Sequence, residues 1–374
     1  MKQKISPEFD PWESYLDIDL TGAARLSNIE LTTTTLCNMR CEHCAVGYTL
    51  QTKDPEALPL SLILKRLDEI PELRSLSITG GEPMLSKKSV EHYVEPLLRY
   101  AHERGIYTQM NSNLTIDAGR YEKIAPYLDV LHISHNWGTV DDFVEAGFAN
   151  MERKPSYSQR ETLFTRMIEN SRILSGAGVM VSAETMLNKR TLPHMAHIHR
   201  QITDEMNCAR HELHPMYPSD FASALESLSL DETRDAIHQL LDVRREDVWM
   251  LFGTLPFFAC SPDERDRALI ERLQQEPLVT VRNDPDGRSR LNVNIFTGDI
   301  IVTDFADAPS LGNIQENALQ QAYQTWSSSA LSKEIDCHCA SVRCLGPNLL
   351  VKKAYYPDVD FTQRTAHSGK EVYQ

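Results

Sequence analysis

Residues 28–44, NIELTTTTLCNMRCEHC, carry the pattern that decides the fold of this chain. The first half of the stretch is rich in Ile, Leu and Thr and predicts a β-strand over about 28–36, because such side chains fit a pleated, half-buried surface. Three cysteines follow on the loop after this strand, in the spacing C-x3-C-x2-C: Cys37, Cys41 and Cys44. Three thiolates fall one short of a structural zinc site, but they can hold three irons of a 4Fe–4S cluster and leave the fourth iron open.

The second decisive stretch, RSLSITGGEPML at residues 74–85, predicts a strand over about 74–79 that ends in GGEP at residues 80–83. Glycines at a strand end let the backbone approach a ligand closely. These two stretches, in this order and with one helix between them, make the sequence resemble the radical SAM superfamily. Its two signatures are C-x3-C-x2-C after the first strand and GGEP after the second. One small departure is His43, which stands where the family usually has an aromatic residue.

The resemblance implies two cofactors, a 4Fe–4S cluster and S-adenosylmethionine (SAM). Cys37, Cys41 and Cys44 would ligate the cluster as thiolates, and the amino and carboxylate groups of SAM would chelate the open iron. A zinc knuckle or uncommitted thiols are the alternative for these three residues. The SAM amino group would meet the backbone of the motif and the Glu82 carboxylate, through charge-assisted hydrogen bonds. All four motif residues are therefore candidate SAM contacts: Gly80, Gly81, Glu82 and Pro83.

Further cofactor contacts are expected near the ends of later strands. Ser134 resembles the position that contacts the ribose in the family, since a hydroxyl can pair with ribose oxygens. Ser182 and Glu184 share one face of the fifth strand by the period-two rule, so either is a candidate for the same task. Asn113 follows the third strand, where the family often has an Asn. The alternative is a polar residue that lines the barrel without touching the cofactor, and no catalytic side chain is assigned.

Composition and charge narrow the class of protein. The 374 residues include 38 basic and 53 acidic side chains, a net charge of −15, which is unlike the basic footprint of a nucleic-acid-binding protein. The sequence has no apolar run of twenty residues and no signal peptide at its N-terminus, so we expect no membrane span. We expect a cytoplasmic protein whose eight cysteines serve metal or redox chemistry rather than disulfides.

Strand and helix patterns alternate six times after residue 28 and predict an α/β fold. The expected strands lie at about 28–36, 74–79, 106–113, 129–136, 179–187 and 210–217. Short connections imply a parallel sheet covered by helices, with ligands at the C-terminal ends of the strands, where both motifs fall. The resemblance implies a partial (β/α)6 barrel. Residues 137–158 are polar and irregular, and we expect a lid or a substrate-facing insertion there.

Three regions are predicted along the chain. Residues 1–27 form a lead-in segment packed across the barrel, and residues 28–245 form the radical SAM core. Residues 246–374 form a small α+β region with a β-hairpin over 290–304, whose Thr-Gly-Asp turn is typical of hairpins. A helix containing Trp326 follows the hairpin.

The C-terminal region ends in a second group of cysteines, in the spacing C-x-C-x4-C: Cys337, Cys339 and Cys344. The hairpin, helix and cysteines resemble the SPASM or twitch appendix of some radical SAM enzymes, which binds an auxiliary iron–sulfur cluster. The spacing itself is that of the CxCxxxxC, or YfkAB-like, radical SAM proteins, and the chain is identified as a member. The SPASM hairpin cysteine is missing after Gly298, but Cys260 is available as a fourth ligand. A structural zinc at the same residues is the alternative.

The function implied by this resemblance is that of a radical SAM oxidoreductase. Reductive cleavage of SAM would give a 5′-deoxyadenosyl radical, which abstracts a hydrogen atom from a peptide, a protein or a small molecule. A second cluster favours an oxidative outcome, and an electron donor such as flavodoxin or ferredoxin is implied as a partner. The alternatives are an activating enzyme that makes a glycyl radical in a partner protein, and an iron–sulfur electron carrier that does not use SAM.

Overall fold

The computed structural model describes residues 2–305 and 308–364. Its central sheet contains the strands β1 (Asn28–Thr32), β2 (Ser75–Thr79), β3 (Tyr107–Ser112), β4 (Val130–Ser134), β5 (Met180–Leu187), β6 (Arg210–Pro215), β7 (Trp249–Gly253), β8 (Val279–Arg282), β9 (Arg290–Asn294) and β10 (Ile300–Ile301). The strands lie in the order β10-β9-β1-β2-β3-β4-β5-β6-β7-β8. Neighbouring strands are parallel except β9 and β10, which are antiparallel.

Helices connect the strands and cover the sheet. They are α1 (Tyr15–Thr21), α2 (Leu60–Asp68), α3 (Lys87–Ser89), α4 (Glu95–Glu103), α5 (Ala118–Ile124), α6 (Val140–Ala146), α7 (Tyr157–Gly176), α8 (Met195–Arg200), α9 (Leu230–Val243), α10 (Glu264–Gln275), α11 (Leu319–Ser327), α12 (Ala330–Glu334) and α13 (Leu349–Tyr355). Two π-helical segments adjoin these helices. Val90–Val94 lies between α3 and α4, and Gln201–Glu205 follows α8. In the part of the chain that is described, no helix is both long and apolar enough to cross a membrane.

The predicted α/β fold is confirmed, and the six expected strands are β1 to β6. β1 ends at Thr32, four residues earlier than expected. The residues after it leave the sheet because their backbone oxygens bind elsewhere: Thr34 accepts from Gly81 N and Leu36 accepts from Glu82 N. The chain therefore turns from β1 directly towards the end of β2.

The parallel sheet extends beyond the six strands that the resemblance implies. β7 and β8 continue it next to β6, and β9 pairs in parallel with β1 on the other side. All five residues of β7 are buried, because the segment is apolar on both faces and needs cover on both. The expected boundary between residues 245 and 246 thus falls within one continuous sheet.

The expectation of an irregular segment over residues 137–158 was wrong in part, because α6 lies within it. The Thr139 side chain accepts a hydrogen bond from Asp142 N and caps the first turn of the helix. Phe143 and Val144 are buried against the core, and this burial stabilises a helix of only seven residues.

The N-terminal segment crosses the sheet at the N-terminal ends of the strands. Lys2 pairs with Asp129, just before β4, at 2.5 Å. Further along, the Trp12 indole donates to the Ser77 hydroxyl of β2 at 3.0 Å and is almost completely buried. This segment covers the end of the barrel that lies opposite the two sequence motifs.

Candidate active site

The loop that carries the first three cysteines is fixed by the GGEP turn (residues 80–83). Gly81 N donates to Thr34 O at 2.9 Å, and Glu82 N donates to Leu36 O at 2.7 Å. A Cβ atom on Gly80 would overlap Thr34 O, and one on Gly81 would overlap Leu36 O. Gly80 also has φ +134°, a conformation that L side chains rarely adopt. The two glycines therefore let the ends of β1 and β2 touch through their backbones.

The Glu82 carboxylate points into the protein. It is fully buried and accepts hydrogen bonds from Ser112 Oγ at 3.0 Å, Asn113 N at 2.7 Å and Met84 N at 3.1 Å. Burial raises the pKa of Glu82 to about 7, although these donors oppose the shift. The carboxylate is fully buried among these donors, so the geometry does not favour the expected pairing with the SAM ammonium group, which stays a prediction.

Asn113 joins the end of β3 to the cysteine loop (residues 37–44). Its side-chain amide donates to Asn38 Oδ1 at 2.9 Å and lies 3.8 Å from Cys37 Sγ. Its side-chain oxygen accepts from the Thr115 hydroxyl at 2.7 Å, and that hydroxyl accepts in turn from Asn38 Nδ2 at 2.8 Å. This closed set of hydrogen bonds positions Cys37 at the C-terminal end of the sheet.

The three thiols lie partly exposed on this loop. Arg40 fastens the loop by donating to the backbone oxygens of Cys37 at 2.8 Å and Met39 at 2.9 Å. Burial, helped by the charges of Glu82 and Cys44, raises the pKa of the Cys37 thiol to about 12. Burial and the charges of Cys44 and Cys37 raise the pKa of Cys41 well above its usual value. In the described part of the chain no three His, Cys, Asp or Glu side chains stand close enough together to hold a metal ion.

The other sequence-predicted positions line the inner face of the sheet. Ser134 is exposed at the end of β4, opposite Glu184 on β5. Glu184 Oε2 lies 2.9 Å from His132 Nε2, and its side chain keeps a quarter of its exposure. Ser182 lies deeper, is fully buried and accepts a hydrogen bond from Arg210 Nε at 2.9 Å. Ser134 and Glu184 therefore face the open end of the barrel, whereas Ser182 belongs to its interior.

A charged cluster fills the barrel below Glu184, and its centre is Glu212. This carboxylate pairs with Arg282 and lies 2.8 Å from His214 Nε2 and 3.3 Å from Arg210. Asp10 completes the cluster at 2.9 Å from Arg282. Burial alone would raise the pKa of Glu212, but Arg282 and Arg210 outweigh it and hold the pKa well below its usual value.

Most of this cluster was missed by sequence reasoning. The signal for Arg210, Glu212 and His214 was available, because alternate residues of β6 share one face. Asp10 and Arg282 gave no signal, since they lie 272 residues apart in segments with no recognisable motif.

The second cysteine group consists of Cys260, Cys337, Cys339 and Cys344. These residues lie near one another, but in the part of the chain that the structure describes their side chains are not grouped as metal ligands. Cys339 and Cys344 pair through both backbone hydrogen bonds, at 2.8 and 3.1 Å. Burial, together with the charges of the other three thiols, raises the pKa of Cys337 to about 12. Cys260 and Cys337 share a small apolar cluster with Phe258 and Phe361. A cavity of about 400 Å³ adjoins Cys344 and Phe258.

Comparisons with known proteins give two family matches along the chain. Residues 31–188 match the radical SAM superfamily, and residues 216–366 match the YfkB-like domain. Putative protein YfkA of Bacillus subtilis (strain 168) is 71% identical over 364 residues, which cover 97% of this chain and 98% of that protein. The chain belongs to the radical SAM superfamily. Its C-x-C-x4-C group lies within the YfkB-like match.

Solved structures share the fold of this radical SAM protein. Streptococcus suis SuiB bound to S-adenosylmethionine has a TM-score of 0.58 at 15% identity, covering 89% of this chain and 75% of SuiB. The enzyme anSMEcpe with bound AdoMet has a TM-score of 0.55 at 16% identity, covering 80% of each chain. Radical SAM proteins use a 4Fe–4S cluster and SAM, and this chain offers three thiols and two accessible glycines at one end of the sheet.

Proposed function

We propose that this radical SAM protein is an oxidoreductase that cleaves SAM reductively and abstracts a hydrogen atom from a peptide or protein substrate. The observation that carries the proposal is the contact between the GGEP turn and Leu36, which places the C-x3-C-x2-C loop at the open end of a parallel barrel. When bound there, the cluster and SAM supply a 5′-deoxyadenosyl radical. The chain supplies the thiols, the position of SAM and the exclusion of water.

Cys37, Cys41 and Cys44 are proposed as the ligands of the cluster that reduces SAM. Their partial exposure leaves room for a metal centre, and the network of Asn113 and Arg40 holds the loop on either side of Cys37. A metal-bound thiol is deprotonated, so the charge of the cluster replaces the protons that these thiols keep in the metal-free chain.

SAM is proposed to lie against the partly exposed Gly80 and Gly81, with Ser134 and Glu184 as candidates for its ribose. Glu82 and Pro83 are buried in this turn. Glu82 then contributes by tying the turn to the end of β3 through Asn113 N and by joining it to Leu36 through its own backbone amide. Asn113 contributes by positioning Cys37.

A second iron–sulfur cluster is proposed at Cys260, Cys337, Cys339 and Cys344, with structural zinc as the alternative. The four thiols affect one another electrostatically, and a cavity adjoins Cys344. Four cysteine ligands leave no open iron, so this cluster would receive an electron from the substrate radical rather than bind the substrate. Residues 246–374 would thus form the auxiliary region and residues 28–245 the core.

Two structural relatives support a peptide substrate. SuiB has been solved bound to the precursor peptide SuiA, with a TM-score of 0.54 to this chain, and anSMEcpe with AdoMet and the Cp18Cys peptide, with a TM-score of 0.55. The charged cluster below Glu184 gives this barrel a polar floor, which suits a polar side chain of a peptide. Flavodoxin or ferredoxin is proposed as the electron donor.

The test is formation of 5′-deoxyadenosine by anaerobically reconstituted protein with SAM and a chemical reductant. We expect product from the unaltered chain and none from the triple variant Cys37→Ala, Cys41→Ala, Cys44→Ala. The matched control is Cys208→Ala, a buried cysteine next to Ser171, which should retain product formation. Absence of 5′-deoxyadenosine from protein with its full iron content would contradict the proposal and favour an electron carrier.

A further inference from the structure

Consecutive residues at the end of β8 connect the barrel interior with the second cysteine group. The Arg282 side chain enters the barrel, where it pairs with Glu212 and with Asp10. The next residue, Asn283, follows the strand, and its side-chain amide donates to Cys344 Sγ at 3.4 Å. Arg282, Asn283 and Cys344 all line one cavity.

Asn283 is held in place from both sides. On one side Arg282 is fixed by its two carboxylate partners in the barrel. On the other side, Asp284 accepts from Ser14 Oγ at 3.3 Å and pairs with Arg290 at 3.0 Å. The amide of Asn283 therefore reaches Cys344 from a rigid segment, and its hydrogen bond costs little conformational entropy to maintain.

Cys344 receives two N–H donors at its sulfur. Gly346 N donates at 3.4 Å, the same distance as the Asn283 amide. An N–H group that donates to a sulfur stabilises negative charge on that sulfur. Gly346 donates through its backbone amide, which does not depend on a side chain. The Asn283 donor is a side-chain amide, so a substitution can remove it.

We propose that Asn283 raises the reduction potential of the second iron–sulfur cluster and so makes it a better electron acceptor. This inference rests on the proposed assignment of that cluster to the second cysteine group. Reduction adds one negative charge, which spreads over the cluster and its ligand sulfurs. An N–H donor to a ligand sulfur stabilises the reduced state more than the oxidised state, because the reduced state carries more charge.

A higher reduction potential of the second cluster would favour the oxidative step of the proposed reaction. After hydrogen abstraction, the substrate radical loses one electron to the second cluster, which is thereby reduced by one electron. Asn283 would favour this transfer without touching the substrate or SAM. Asn283 would thus tune the second cluster and would not be a catalytic residue. Its substitution should change the reduction potential of this cluster and leave the iron content unchanged.

The experiment isolates the second cluster in the full chain that carries Cys37→Ala, Cys41→Ala and Cys44→Ala. This parent protein is reconstituted anaerobically and its iron and zinc are counted. A redox titration followed by electron paramagnetic resonance then gives the reduction potential. Asn283→Leu replaces the amide donor with an apolar side chain of similar size. Asn283→Asp replaces it with a carboxylate of the same size, which adds a negative charge. The matched control is Gln274→Leu, whose amide contacts Val342 O of the same loop at 3.4 Å instead of a sulfur.

We expect Asn283→Leu to lower the ratio of reduced to oxidised cluster at a fixed ambient potential about tenfold, which corresponds to about 59 mV for one electron. Asn283→Asp should lower it further, and Gln274→Leu should match the parent. Iron content equal to the parent with an unchanged potential in both Asn283 variants would overturn this inference alone. Zinc in place of iron in the parent would overturn the proposed second cluster, and this inference with it.

Discussion

The backbone amide of Glu82 donates to the backbone oxygen of Leu36 at 2.7 Å, and this bond joins the GGEP turn to the residue immediately before Cys37. The contact is possible because Gly81, the residue before Glu82, has no side chain to hold the two segments apart. The two sequence signatures of the superfamily are thus one physical unit, in which the second motif sets the position of the first.

Replacing Gly81 with Ala tests this coupling. The new methyl group would overlap Leu36 O, so we expect a loss of about 1–3 kcal/mol in the free energy of unfolding, since overpacking strains the backbone. Iron incorporation at the first cysteine group should fall as well. Chemical denaturation and an iron count measure the two effects. The matched control is Gly176→Ala, where nothing lies within reach of the added methyl group. Equal stability and iron content in the two variants would refute the coupling.

The charged cluster in the barrel predicts that the stability of the fold depends strongly on Glu212. Glu212→Gln leaves Arg282 and Arg210 with less counter-charge in a buried site, and we expect a loss of about 3–5 kcal/mol in unfolding free energy. The double variant Glu212→Gln, Arg282→Gln should lose less than the sum of the two single variants, because the two side chains are coupled. Denaturant titration of the four proteins measures this coupling.

The surface residue Glu226 provides the control for the Glu212 variants. Glu226 pairs with Lys189 at 3.3 Å but keeps 78% of its side-chain exposure, so Glu226→Gln should change stability by less than about 1 kcal/mol. A similar small effect for Glu212→Gln would show that the barrel cluster is solvated, against the burial of Glu212 in the structure.

A buried histidine pair predicts a pH-dependent contribution to stability. His199 Nδ1 lies 2.9 Å from His211 Nδ1, and its Nε2 accepts from Arg245 N at 3.0 Å. Burial lowers the pKa of His199 to about 4, so between pH 4 and 6.5 the unfolded chain binds the proton that the folded chain excludes. The contribution of His199 is therefore complete above about pH 6.5 and is lost as the pH falls towards 4.

The variant His199→Gln isolates this contribution. The stability difference between the unaltered chain and the variant should be largest above about pH 7 and should shrink by at most about 1.4 kcal/mol per pH unit below pH 6.5. The matched control is His197→Gln, an exposed residue of the same helix, which should change stability by less than about 0.5 kcal/mol. Denaturant titrations at several pH values measure it, and a difference that grows towards pH 5 would contradict the assignment.

The sequence predicted the strands and motifs whose signal is local. Ile29 and Leu31, together with the cysteine spacing after them, sufficed for β1 and its loop, and GGEP sufficed for the end of β2. The position of β7 in the same sheet was not predictable in this way. Its apolar run fits a buried strand in any sheet, and only the fold shows that β6 is its neighbour.

The candidate site shows the same limit at the level of side chains. The type of residue at Glu82 suggested a ligand for an ammonium group, but the orientation of a carboxylate depends on donors such as Asn113 N, thirty-one residues away. Asp10 and Arg282 meet across 272 residues, and no pattern in either segment indicates the other. Such contacts arise from tertiary packing, which periodicity and motif spacing do not describe.

The most direct test of the two-cluster proposal is an iron and sulfide count on anaerobically reconstituted protein, repeated on the Cys37→Ala, Cys41→Ala, Cys44→Ala variant. We predict about eight irons per chain in the unaltered protein and about four in the variant, since each 4Fe–4S cluster contributes four. About four irons together with one zinc in the unaltered protein would contradict the account, because the second cysteine group would then be a structural metal site with no place for an electron.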